Sequence, residues 1–237
     1  MHLPDIARYG LAVGIAATAN ANRRAYHMRT TWLPHLALNS LALLLPDLLR
    51  PVLAHRSVAD AKATTPLDLA VATLTELVCE NPAYVAYVAP LAAGYLLSHP
   101  DFNIYKGAWG ELAIAGLGLD ALPHAATAFA LTRLSADAAN AAAEHADLRN
   151  PLANLLRWCQ THEALFSAAV LALATVVWEL AEYRVYRHEL AQRGDPALIN
   201  TQWSLDDTAA DVFANLIGWA VAMFGNYAKN AFPVQHG

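Results

Sequence analysis

The stretch from Glu163 to Tyr186 reads EALFSAAVLALATVVWELAEYRVY, and its run from Ala168 to Trp178 holds no charged residue. A helix that crosses a hydrocarbon core needs about 20 mostly apolar residues, and this segment supplies them. By the same measure Leu33 to Leu53, Trp109 to Leu134 and Thr208 to Tyr227 are candidate spans. Composition agrees: of 237 residues 57% are hydrophobic and 15% charged, with a net charge of −5, apolar-rich and charge-poor beside an ordinary soluble domain. The mean hydropathy of +0.28 averages apolar segments with polar, Ala-rich connectors. These features predict an all-α, polytopic transmembrane helical bundle forming a single integral membrane domain over 1–237.

Working outward, Pro66 to Ser98 is apolar but interrupted at Cys79-Glu80-Asn81-Pro82, which predicts one broken unit, because proline lacks the amide that would continue a helix. Tyr9 to Ala21 reads as a short, retained first helix, with Gly10 and Gly14 offering a close-packing face. The total comes to about six spans. The Ala-rich, polar stretch Ser135 to His162 is expected outside the bilayer, with a helix of its own. Asn22 to Thr31 carries Arg23, Arg24 and Arg29, and Arg187 to Trp203 carries Arg187 and Arg193. The opposite connectors hold Arg50, Arg56, Lys62, Arg133, Arg149 and Arg157, so the basic residues do not choose an orientation. Trp32, Tyr95, Trp109, Tyr186, Trp203 and Tyr227 fall near span ends, where amphipathic rings suit the headgroup layer.

Several classes fall away. A sequence pI near 6.0 without a basic stripe argues against nucleic acid. Cys79 and Cys159 support neither a disulfide framework nor a thiolate zinc site. The glycines between Gly107 and Gly118 do not follow a strand, which argues against a phosphate loop.

An ionisable side chain inside a bilayer costs at least about 2.5 kcal/mol, so each one within a span needs a partner, water or a purpose. Asp120 and His124 are four apart and lie about 40° from one another around a helix. Glu179 and Glu182 place two carboxylates on one side of the next span. Asp207, Asp211 and Asn215 form a stripe about 12 Å long, continued by Gly218, while Asp206 points elsewhere. Facing the three stripes toward one another around a wet pocket lowers the cost. Such a pocket is neutralised by a divalent cation or by protons that leave some acids uncharged, and hard oxygen donors with one imidazole suit magnesium, manganese, calcium or iron better than structural zinc. Asp120, His124, Glu179, Glu182 and Asp207 are the candidate metal ligands; Asp211 and Asn215 complete the substrate- or ion-binding set, and His124 and Glu182 are the candidate catalytic pair. Glu76, Glu80, Glu111, Glu163 and Asp206 read as interfacial or helix-terminal charges, and His35 and His99 as packing residues.

The ordered motifs Asp120-Ala121-Leu122-Pro123-His124, Glu179-Leu180-Ala181-Glu182 and Asp207 through Gly218 resemble those of VanZ-like and YjdF-like bacterial membrane proteins. The likeness covers a core over 108–228; the N-terminal helices of 1–107 have no counterpart in it. The closing helix here has Asp-x-x-x-Asp where those families have Asp-x-x-Asp, a departure that bears on Asp211. The resemblance implies a multi-pass protein of the bacterial cytoplasmic membrane associated with the cell envelope, with the same seven site residues.

Three functions fit these readings. One is a membrane enzyme or binder acting on the polar head of a lipid-like envelope substrate, with a cation held by the carboxylates and His124 as general acid or base in a hydrolysis. Another is a proton- or cation-coupled transporter, which the absence of a visible inverted repeat weakens. The third is an architectural subunit whose polar stripes lock helices and whose partners are other membrane proteins. Membrane lipid is a partner in each case and nucleic acid in none.

Overall fold

The computed structural model describes residues 3–28, 32–53, 62–114, 117–199 and 203–231. Arg29 and Arg56 of the basic connectors, and the side chain of Tyr227, lie outside the described residues. The chain is all-α: α1 (Leu3–Ala25), α2 (Trp32–Leu53), α3 (Pro66–Leu74), α4 (Tyr84–Leu96), α5 (Ala121–His145), α6 (Ala153–Thr161), α7 (Glu163–Arg193) and α8 (Leu205–Ala231). The strands described are β1 (Ala113–Ile114) and β2 (Leu117–Gly118), an antiparallel hairpin ahead of α5.

Local chemistry explains the boundaries. Thr65 caps α3, its hydroxyl accepting the Asp68 amide at 3.2 Å and donating to the Asp68 carboxylate at 2.7 Å, with Pro66 in the first turn where its missing amide costs nothing. The broken unit forms as expected: α3 widens into a π-helical turn over Thr75–Glu80 and the chain restarts at Tyr84, beyond Asn81-Pro82. The hydroxyl of Ser204 accepts the amide of Asp207 at 3.1 Å and starts α8.

Helices pair end to end in a consistent way. Arg8 near the start of α1 reaches Asp47 near the end of α2, Tyr87 of α4 donates to Asp137 of α5, and Glu179 of α7 meets Thr208 of α8, so these pairs run antiparallel. α5 and α8 run parallel, since His124 faces Asp211 and Ala125 faces Gly218. α5 is the central helix, touched by α3, α4, α6, α7 and α8. Its buried positions include Ala128, Ala139 and Ala142 on one side and Ala130 and Ala141 on the other, small side chains that let neighbours approach from both. Beside it Ile15, Leu43, Val88 and Ala92 join α1, α2 and α4 in an apolar core.

Large apolar side chains are exposed on the outer faces of the longest apolar helices. Leu38, Leu41 and Leu48 on α2, Leu173, Val176 and Val177 on α7, and Phe213, Leu216 and Phe224 on α8 all point outward. Three helices among the described residues are long and apolar enough to cross a membrane, Trp32–Leu53, Glu163–Arg193 and Leu205–Gly225, in place of the six expected. The reasons are specific. α4 has 13 residues and falls short of a span. Trp109 to Leu134 is no single helix: the chain turns at Gly107, whose φ of +70° favours glycine, forms the hairpin, and becomes helical only at Ala121. α5 is packed by five other helices and its second half is mostly buried, so that half has no need of a continuous apolar surface. The first part of the supposed Ser135 to His162 connector is therefore the second half of the central helix, with Ser135, Ala136 and Ala139 buried, and a separate helix follows only at Ala153.

Candidate functional site

Three helix segments meet at one end of the bundle: the first turn of α5, the first two turns of α8, and α7 just past its apolar run. On α8 the buried positions are Asp211, Ala214, Gly218 and Ala222, spaced three, four and four, so one straight seam faces α5. Asp206 is exposed, as its spacing implied. At Gly218 a Cβ would stand 2.1 Å from the Ala125 carbonyl oxygen and 2.9 Å from the Ala128 Cβ, so only glycine admits this approach. Asp211 is thereby carried against α5, where it is 3% exposed and its Oδ1 lies 3.4 Å from His124 Nε2.

From α7, Glu179 and Glu182 turn to the same place. Glu179, Glu182 and Asp211 each offer a carboxylate oxygen, and these oxygens lie within 4.8 Å of one another. The hydroxyl of Thr208 donates to Glu179 Oε2 at 2.5 Å. Among the described residues no lysine or arginine forms an ion pair with any of the three; His124 is their one basic partner. Asp120 caps α5, its Oδ1 accepting the Ala121 amide at 3.0 Å. Gly118 permits that position, because a Cβ there would meet the same oxygen at 2.3 Å. Asp207 sits half-buried a turn before Asp211.

The sequence stripes thus converge, with two adjustments. The tight triad is Glu179, Glu182 and Asp211, so Asp211, the residue on which the motif departed, takes a central place, while Asp120 and Asp207 lie outside that triad. Asn215 donates to the hydroxyl of Thr175 at 3.1 Å and ties α8 to α7 one turn deeper.

The sequence reading passed over three contributors. Thr208 is one. Tyr105 is another: its hydroxyl donates to the Gly94 carbonyl at 3.0 Å, and burial, reinforced by the negative field of Asp120, Glu182 and Asp211, pushes its phenol above the ordinary range, so it stays a protonated donor beside the acids. The third is a separate ion pair at the other end of the bundle, where buried Arg8 holds Asp47 at 2.8 Å, Asp5 at 2.8 Å and the Leu43 carbonyl at 2.6 Å, with Tyr9 donating to Asp47 at 2.9 Å. The cost argument applied to the other acids would have demanded a partner for Asp47 inside its span. His35 stacks on Tyr95 and His99 on Phe102, in keeping with packing roles, and Glu76 pairs with His145 at 2.7 Å.

Fold and site together define a helical protein with three candidate membrane-spanning helices and a carboxylate triad enclosed near one end. No family model, curated protein or solved structure matches the chain.

Proposed function

We propose that this is a multi-pass protein of the bacterial cytoplasmic membrane that holds a divalent cation among Glu179, Glu182 and Asp211 and acts there on the polar head of a lipid-like envelope substrate. The observation that carries the reading is the convergence of three carboxylate oxygens within 4.8 Å, with the Thr208 hydroxyl donating to Glu179 and the His124 ring 3.4 Å from Asp211. A network that merely glues helices pairs donors with acceptors, as Asn215 does with Thr175. Three acids facing one another lack that balance, and a hard cation with oxygen ligands supplies it. When bound, such a cation polarises a carbonyl or phosphoryl oxygen and favours hydrolysis. His124 is placed to carry the proton, held 3.4 Å from Asp211. The resemblance of the ordered motifs to those of VanZ-like and YjdF-like proteins points to the same residues and belongs to this proposal.

The test is metal analysis of the detergent-purified protein together with its melting temperature in manganese and in chelator. The expected result is a melting temperature raised by manganese in the parent protein and unresponsive in Glu182→Gln and Asp211→Asn. If manganese and chelator leave the parent unchanged and Glu182→Gln is neutral, the cation reading fails and the carboxylates are architectural.

A further inference from the structure

A second pocket opens one turn beyond the carboxylates. Glu179, Glu182, Tyr183, Tyr186 and Leu190 recur at spacings of three and four, so they share a face of α7, and each is at least partly buried. Tyr183 follows Glu179, and Tyr186 follows Glu182, by one helical turn, about 6 Å along the axis. From the opposite side comes Trp203, next to the Ser204 cap of α8, its ring meeting that of Tyr183 edge-on at 4.7 Å. With Arg187, Leu190 and Ala191 these aromatics line a pocket of about 500 Å³, within the range that takes a small ligand.

Arg187 gives the pocket its charge. One guanidinium nitrogen donates to the Tyr183 hydroxyl at 3.0 Å, and the group lies 5.7 Å from the centroid of the Tyr183 ring. Among the described residues no carboxylate pairs with it, so its remaining donors are available to a ligand. A guanidinium held this way matches a phosphate in a way that a single ammonium does not. Depth narrows the choice further. The apolar run of α7 ends at Trp178, and Tyr183 to Arg187 lie five to nine residues beyond, roughly 7 to 14 Å along the axis, which is headgroup depth when that run is taken as the end of the hydrocarbon core.

We propose that this pocket binds the phosphate-bearing headgroup of an anionic phospholipid, with the phosphate on Arg187 and the glycerol between the rings of Tyr183, Tyr186 and Trp203. The pocket stands on its own observations; as the substrate's entry it rests on the cation reading above, and it then sets the headgroup phosphate about one and a half to two helical turns from the triad's α7 carboxylates. A choline headgroup would bring a second cation toward Arg187, and free phosphate would leave the aromatic walls unused.

The experiment titrates the full chain in detergent with short-chain dihexanoyl phosphatidylglycerol, dihexanoyl phosphatidylcholine and inorganic phosphate, following intrinsic tryptophan fluorescence. Saturable phosphatidylglycerol binding is expected, at least tenfold tighter than either comparison, weakened tenfold or more by Arg187→Gln and unaffected by Arg184→Gln, a neighbouring exposed cation. Equal binding of phosphatidylcholine, equal binding of inorganic phosphate, no effect of Arg187→Gln, or the same effect from Arg184→Gln overturns the proposal. Melting in manganese is read on the same samples. A retained manganese response in Arg187→Gln shows that the variant is folded, and unchanged lipid binding then sinks the pocket alone. Arg187-dependent lipid binding in a parent protein indifferent to manganese supports the pocket and sinks the cation reading alone.

Discussion

Replacing Gly218 with alanine tests whether the α5–α8 seam builds the site. The added methyl would sit 2.1 Å from the Ala125 carbonyl oxygen and 2.9 Å from the Ala128 Cβ, where ordinary contact begins at 3.4 Å. The nearest obstacle is backbone within a central helix, which cannot rotate aside, so α8 must withdraw by about 1 Å. Two turns along the same seam the 3.4 Å approach of His124 to Asp211 then widens beyond 4 Å. Overpacking of this kind costs about 3 kcal/mol at its upper end, and the better helix propensity of alanine returns about 1, a net loss of about 2 kcal/mol. For a chain of this size that lowers the melting temperature by roughly 4–8 °C. The control lies on the same helix: Gly225 has nothing within 4 Å of its would-be Cβ, so Gly225→Ala should be neutral or stabilising by up to about 1 kcal/mol. Circular dichroism melts of both variants, with and without manganese, decide. If Gly218→Ala melts with the parent and keeps its manganese response, the seam does not position Asp211 and the site reasoning is wrong.

Arg8→Met should lower stability by up to about 3 kcal/mol, the low end for breaking a buried ion pair, because Asp47 keeps Tyr9 and is itself about one-third exposed; a melt unchanged within error would refute this. Gly118→Ala should push the Asp120 carboxylate off its cap at the price of about 1 kcal/mol, and an unaltered melt would mean that the carboxylate swings aside freely. The phenol of Tyr105 is raised above its ordinary 10.0 in the fold, so it contributes stability that is complete below pH 10 and lost as the pH climbs through the folded value. Tyr105→Phe should therefore flatten the alkaline decline in melting temperature, and parallel pH profiles for variant and parent would remove Tyr105 from the vicinity of the acids.

What the sequence revealed followed the kind of surface each residue meets. The stripe of α8 was legible because Asp207, Asp211, Asn215 and Gly218 repeat at helical spacing inside an apolar span, and α7 was legible for the same reason. The second half of α5 was misread as a connector because hydropathy detects helices that face lipid, whereas this helix faces protein and needs only small side chains such as Ala136 and Ala139. Trp109 to Leu134 misled in the opposite sense: the stretch is mostly apolar, but its first part forms the hairpin through Gly118 and the helix starts only at Ala121. Arg8 and Asp47, 39 residues apart, carry no local signal, and Tyr105 lies in a turn whose approach to the acids is set wholly by tertiary packing.

The depth of the triad bears on the choice between a site served from one face and a carrier. A carrier must offer its ion to both sides of the membrane, and many carriers bind near the midplane. Here Asp207 and Asp211 fall in the first two turns of α8, and Asp120 and His124 at the start of α5. Below them the seam closes, with Ala214, Gly218 and Ala222 buried and Gly218 pressed on the backbone of α5. Asn215 and Thr175 bridge α7 to α8 just beneath the acids, and deeper still Trp219 donates to buried Ser167 at 3.2 Å. Among the ionisable groups toward the far end, Arg8 is satisfied by Asp5, Asp47 and a carbonyl, and Asp137 accepts from Tyr87. A proton or cation leaving the triad inward would have to part α5 from α8 at their closest contact, whereas the same ion reaches the headgroup layer past Tyr183 and Tyr186 within about two helical turns. Under the proposed function, that asymmetry favours chemistry or binding at one face over transit through the bundle.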